Sequence, residues 1–338
     1  MTVSETDVVI IGAGPVGLFA VFECGMLRFR SHVFDALEVP GGQCAALYPE
    51  KPIYDIPGHP RIDAQALVDN LLAQAAPFGP VYHLGEQVCG LARQADGRWL
   101  VSGGRGTQVL AGAVILAAGA GAFGPNRPPL AGIEAFEGRS VFYLVTRREA
   151  FRGKRVVIAG GGDSAVDWAL SLADVAAAVM LVHRRAKFRA APESVARLAA
   201  LAEAGRVEMV VPYQLAALDG ADGQITAVEV ADLDGNRRRL AADALLAFFG
   251  LSSDLGPIAG WGLALQHGHV AVDPATCATG QPGLFAIGDI ATYPGKLKLI
   301  LQGFAEAAAA AHAIHPILRP DQALHFEYST TKGLPNQG

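Results

Sequence analysis

A chain of 338 residues, 51% hydrophobic and only 17% charged, has enough apolar material for two packed domains and too little charge for a disordered chain. Its formal net charge of −5 excludes the strongly basic surface of a nucleic-acid binder, although basic clusters stand at Arg184-Arg185 and Arg237-Arg238-Arg239. Four dispersed cysteines (Cys24, Cys44, Cys89 and Cys277) form no metal-ligand pattern or disulfide framework and read as reduced thiols of a cytoplasmic protein.

The chain begins "MTVSETDVVIIGAG", with no basic leader and an apolar run soon broken by glycine, so neither a signal peptide nor a membrane span is expected. The strand "DVVII" runs into Gly12-Ala-Gly14-Pro15-Val-Gly17, a G-x-G-x-x-G turn that opens a helix. The first glycine permits the tight turn, the second admits a pyrophosphate to the backbone, and the third lets helix and strand pack closely. The next strand, "SHVFDA", ends in Asp35, placed to accept hydrogen bonds from a ribose diol. A purely structural glycine turn is the competing reading of the motif taken alone. Further on, "YPEKPIYDIPGHP" is a Pro/Gly loop, and "VILAAGAGAFGPNRPPL" is a strand followed by a loop that leaves the domain.

A second strand–glycine–helix unit follows in "RVVIAGGGDSAVDWALSLADV", with the turn formed by Gly160, Gly162, Asp163, Ser164 and Ala165. At the offset from its first glycine where the first unit has Asp35, this one has His183-Arg184-Arg185. A carboxylate there would repel a 2′-phosphate, whereas guanidinium groups bind it in a two-pronged manner, so this unit is expected to take NADPH rather than NADH. Arg189 adds a further phosphate contact, while a solvated basic loop is the alternative and suits Lys187. The strand and loop "LLAFFGLSSDLGP" then return the chain to the first domain, and the Ala-rich "AEAAAAAHAI" is too short to span a bilayer and suits a packed helix.

Two dinucleotide units, the first acidic-ended and the second basic-ended, resemble the two-domain flavoprotein reductases of the thioredoxin reductase type. "GGQCAALYPEKPIYDIPG" resembles their Gly-Gly-Gln loop at the flavin, "GLFAIGDIA" their late FAD motif, and "VHRRAKFRA" their 2′-phosphate motif. Thioredoxin reductases carry Cys-Ala-Thr-Cys before the second glycine turn. Here Leu144-Val145-Thr146-Arg147 stands in its place, so dithiol exchange at that position is chemically excluded. Together with "GAGAFGP", "GGGDSAVDWAL" and the C-terminal "HFEYSTTKG", this is similar to the thioredoxin reductase-like ferredoxin–NADP⁺ reductases.

The resemblance implies an α/β fold of two Rossmann-like three-layer domains. Residues 1–122 and 251–325 would form the FAD domain and residues 123–250 an inserted NADPH domain, with 326–338 an extension over the flavin. It implies FAD contacts from Gln43, Tyr48, Val88, Phe123, Asp289, Tyr328 and Thr330, with Tyr48 and Tyr328 on opposite flavin faces. The helix after Asp289, expected to start near Leu297, would direct its positive end at the flavin. Tyr48 and Phe123 also suit ordinary packing, and the tail also suits a disordered terminus. The implied activity is hydride transfer from NADPH to FAD followed by single-electron transfer to ferredoxin or flavodoxin, in a cytoplasmic homodimer that needs no catalytic acid–base pair. Lys296 and Lys298 are the expected contributors to a basic docking patch. Two alternatives remain at this level: a flavin disulfide reductase working on a small thiol directly or through Cys44, and a non-enzymatic NADPH-sensing protein.

Overall fold

The computed structural model describes residues 3–145 and 147–324. The chain forms two compact units, Met1–Ala122 with Ser253–Gly338, and Phe123–Ser252. The connecting segments, Ala122–Pro125 and Leu251–Asp254, pair with each other as a two-stranded sheet.

In the first unit the strand Ser4–Ile11 lies between two parallel neighbours, Ser31–Asp35 and Gln108–Leu116. Val81–Leu84 extends the sheet beyond Ser31–Asp35, and Leu284–Ala286 pairs with the C-terminal half of Gln108–Leu116. Val8, Val9 and Ile10 are fully buried, as expected of a parallel strand covered on both faces, whose sequence is a continuous apolar run. One face is covered by helices α1 (Pro15–Met26) and α6 (Ile300–Leu318), in whose helix α6 Ala307, Ala310 and Ala311 are fully buried. On the other face Trp99 and Val101, from an antiparallel meander, pack against Val9 and Leu116. Two shorter helices complete the unit, α2 (Gly42–Ala46) and α3 (Ala64–Ala75). The Pro/Gly loop between them is pinned by a two-residue antiparallel clip, Pro52–Ile53 with Ile62–Asp63.

The second unit repeats this plan. Its parallel strands run in the order Val141–Phe142, Ala244–Ala247, Arg155–Ala159, Ala178–Val182 and Glu208–Val210. Helices α4 (Asp163–Leu172) and α5 (Pro192–Glu203) belong to one layer. A three-stranded antiparallel sheet, Gln214–Ala221, Gln224–Ala231 and Arg237–Ala241, buries Ile225, Val228 and Val230 against the opposite face. Each unit is thus a three-layer sandwich in which a glycine turn at a strand's C-terminal end leads into a helix.

Helix α6 starts at Ile300, later than the expected Leu297. Leu299 is still extended, with φ −122° and ψ 144°, because the preceding segment first carries the Lys296 side chain inward to Glu306 on α6 itself. Among the described residues no helix is long and apolar enough to cross a membrane.

Candidate functional site: two dinucleotide cradles

The first glycine turn shows why each glycine is needed. Gly12 has φ 113°, and a Cβ there would lie 2.3 Å from the Ala117 carbonyl oxygen. A Cβ on Gly17 would lie 1.9 Å from the Gly12 oxygen, so helix and strand touch backbone to backbone. Gly14 faces Gly42: a Cβ built on Gly14 would sit 3.9 Å from the Gly42 Cα. Gly14 caps α1 with no side-chain hydrogen bond, Pro15 opens the helix, and no acidic residue occupies the first turn. The unpaired N–H groups of that turn therefore keep their positive potential for an anion.

Asp35 sits at the C-terminal end of its strand, as expected, and also organises the turn. One carboxylate oxygen accepts the Ala13 N–H at 2.6 Å and the other accepts the Leu37 N–H at 2.8 Å. Burial raises its carboxyl from the usual range, and those two N–H groups oppose the rise. Each oxygen retains a second lone pair for a hydroxyl donor.

Several other residues expected at the FAD site belong to this unit. Gln43 lies in α2, with its amide near the open side of Gly119. Tyr48 is half-buried, its hydroxyl 3.9 Å from the Cys44 sulfur and its ring 5.9 Å from the Lys51 ammonium. The charge of Asp289 reaches both groups: burial raises the Cys44 thiol to about 11 and raises the Tyr48 hydroxyl, and Asp289 adds to both shifts. Val88 is only 4% exposed within an apolar cluster, which leaves its backbone as the group able to meet a ligand. Phe123 is described as backbone of the Ala122–Pro125 strand, while Tyr328 and Thr330 lie outside the described residues.

The second turn is built from the same parts with different chemistry. A Cβ on Gly160 would lie 2.7 Å from the Phe248 oxygen, and one on Gly161 would lie 2.1 Å from the His183 ring. His183 therefore backs the glycine turn. Burial is the main cause that lowers its pKa, with the neighbouring arginines adding to it, so the imidazole is held neutral near pH 7. Gly162 caps α4 with open space around it, Ser164 is exposed in the first turn, and Ala165 is fully buried. Asp163 does something the sequence reading did not assign: its carboxylate accepts the Ala191 N–H at 2.9 Å. The Arg189 N–H donates to the Gly161 oxygen at 2.7 Å, and together these bonds fasten the arginine loop to the glycine turn.

The two basic clusters differ sharply. Arg237, Arg238 and Arg239 are each paired, with Glu229 at 3.1 Å, Glu208 at 2.6 Å and Asp219 at 2.8 Å. Among the described residues Arg184, Arg185 and Arg189 form no ion pair, and all three are exposed. Arg184 and Arg185 line a surface pocket with Tyr213 and Gln214. The three unpaired guanidiniums beside an open glycine turn fit a nucleotide carrying a 2′-phosphate. The unpaired amides around Gly14, with Asp35, fit a pyrophosphate and a ribose.

Where a redox dithiol would stand, Leu144 is 39% exposed and Val145 is 2% exposed. The Tyr143 hydroxyl donates to Glu137 at 2.6 Å. Cys24 and Cys277 are fully buried, and burial pushes both thiols up to about 12. Among the described residues no group of three or more His, Cys, Asp or Glu is placed to hold a metal ion. Lys296 is a correction to the expected docking patch. Its side chain is 5% exposed and its ammonium is paired with the buried Glu306, so it presents no charge to a partner. Sequence reasoning missed Glu306 itself, although a lone carboxylate in the apolar "FAEAAAAAHAI" was a visible signal.

Two three-layer dinucleotide units in one chain define a class of nucleotide-linked oxidoreductase, and the chain belongs to the pyridine nucleotide-disulphide oxidoreductase family, whose family model matches residues 6–313. It is 66% identical to a ferredoxin–NADP reductase of Paramagnetospirillum magneticum, over 99% of both chains. It is 63% identical to one of Rhodospirillum rubrum, over 98% of this chain and 97% of that one. Within the larger family it is therefore a member of the ferredoxin–NADP reductases. The fold is shared with Lactococcus lactis thioredoxin reductase, with a TM-score of 0.79 at 23% identity, covering 93% of this chain and 99% of that one. It is shared likewise with T. acidophilum thioredoxin reductase, with a TM-score of 0.79 at 23% identity, over 92% of this chain and 98% of that one.

Proposed function

We propose that this chain is an FAD-dependent reductase that moves electrons between NADPH and ferredoxin or flavodoxin with no thiol on the route. The observation that carries this reading is the sequence Tyr143–Arg147, which has no cysteine, in a chain that carries two glycine-turn units. FAD held there would supply the hydride-accepting and single-electron chemistry.

The rest is positioning by this chain's residues. In the FAD domain, formed by the segments flanking the insertion, Gly12, Gly14, Pro15 and Gly17 admit the pyrophosphate to the helix start, and Asp35 holds the ribose. Gln43 supplies an amide to the flavin edge, Tyr48 a stacking ring, Val88 a backbone contact and Asp289 an acceptor for hydroxyl groups. The family resemblance alone adds Phe123, Tyr328 and Thr330 to this set. In the inserted domain Gly160, Gly162, Ser164 and Ala165 form the turn that receives the NADPH pyrophosphate, Asp163 and His183 hold that turn in shape, and Arg184, Arg185 and Arg189 bind the 2′-phosphate. No side chain is required to move a proton.

An acidic carrier would dock through Lys298, whose ammonium lies at the surface 2.7 Å from the His269 ring nitrogen. Ferredoxin is the partner in the relatives' names, and dispersed free thiols, three of the four buried, suit a reducing cytoplasm. The homodimer implied by the family resemblance belongs to the same reading. The test is NADPH-driven cytochrome c reduction with and without added ferredoxin. Strong stimulation by ferredoxin is expected; no stimulation together with turnover of a disulfide substrate would overturn the reading.

A further inference from the structure

The acidic and basic side chains most deeply buried around the Gly288–Asp289 turn are ones no cofactor contact explains. Glu306, on α6, is 3% exposed, and Lys296 is 5% exposed. One Glu306 oxygen accepts the Gly288 N–H at 2.7 Å. The other accepts the Tyr293 hydroxyl at 2.6 Å and is paired with the Lys296 ammonium. Gln302 donates to the Tyr293 oxygen at 2.8 Å. Burial, reinforced by Glu306, pushes the Tyr293 hydroxyl up to about 12, so it remains a donor. One carboxylate thus gathers the segment Gly288–Lys296 against the helix that follows it.

The gathered segment abuts the first glycine turn. A Cβ on Gly303, in the first turns of α6, would lie 2.3 Å from a Val16 methyl group, and one on Gly288 would lie 3.5 Å from Val16. Val16 is the second residue of α1. The start of α1, the Gly288–Asp289 turn and the start of α6 therefore meet at one side chain, with the Glu306–Lys296 pair behind them.

We propose that Glu306 and Lys296 act together as positioning residues that hold the Gly288–Asp289 turn and, through their mutual neutrality, set the reduction potential of the FAD carried there. This rests on the FAD reading above. A glutamine at 306 retains an acceptor for Gly288 but leaves Lys296 as an unpaired buried cation. A methionine at 296 keeps the length of the side chain but leaves Glu306 as an unpaired buried anion. In a low-dielectric interior such charges act on a nearby redox group with opposite signs, because reduction adds negative charge to the flavin. Replacing both residues restores neutrality.

The experiment is a double-mutant cycle with Glu306→Gln, Lys296→Met and both together. It reads the midpoint potential of bound FAD, the FAD dissociation constant and the thermal midpoint of each protein as purified. Glu306→Gln is expected to raise the potential, Lys296→Met to lower it, and the double variant to return close to the parent. Each single change is expected to weaken FAD by about tenfold and the double by less than about threefold, as for a buried pair broken on one side. Single variants that shift the potential in the same direction, or not at all, overturn the proposal. If the parent protein holds no FAD, the FAD reading fails instead. The thermal midpoints then judge the pair: recovery in the double variant supports the coupling, and additive losses refute it.

Discussion

The two glycine turns share a backbone plan and differ in what surrounds it. The first is stitched to a carboxylate: Asp35 holds the Ala13 N–H at 2.6 Å and presents negative charge at the strand end. The second is backed by an imidazole and fringed by three arginines that form no ion pair among the described residues. In the reading proposed above, the backbone receives a dinucleotide phosphate in both, and the residues at the end of the second strand set which ribose is accepted. One fold used twice thus separates two cofactors through a few side chains.

The largest effect expected from breaking this comparison is at the backbone. In Gly12→Val the new side chain would enter the Ala117 carbonyl, whose oxygen is 2.3 Å from the Cβ position, at a φ of 113°. Strain of about 1–3 kcal/mol added to the lost phosphate approach is expected to reduce FAD retention by at least about tenfold. Flavin absorbance per purified chain measures it.

A smaller and more selective effect is expected at the second turn. Arg184→Ala with Arg185→Ala removes two charge-assisted contacts of about 1.5–3 kcal/mol each. The ratio of kcat/KM for NADPH over NADH should fall by at least about 100-fold, with the NADH value changed by no more than about threefold. The matched control is Arg239→Ala, which breaks a surface pair with Asp219 at 2.8 Å. Exposed pairs contribute about 0–1 kcal/mol, so the coenzyme ratio should stay within about twofold.

The features that were legible in the sequence are local ones. The strand–glycine–helix order, Asp35 and the His183–Arg185 stretch all sit at fixed offsets along the chain, and the structure places each at the end of its strand beside its turn. The residues misread are those whose environment comes from far along the chain. Lys296 reads as a surface lysine until α6 brings Glu306 to it. Asp163 reads as part of the glycine turn, and its bond to the Ala191 N–H, 28 residues on, is added only by the fold. The two arginine clusters cannot be told apart by composition, because the carboxylates that neutralise Arg237, Arg238 and Arg239 come from other strands.

The central claim is that electrons leave this protein without passing through a thiol. Cys44 is the cysteine within the loop assigned to the flavin, 2% exposed and with its thiol raised to about 11 by burial. The most direct measurement is the ferredoxin-dependent rate of NADPH oxidation, per bound flavin, in Cys44→Ala. A rate within about twofold of the parent is the result the account predicts, and a loss of more than about tenfold with flavin retained would contradict it.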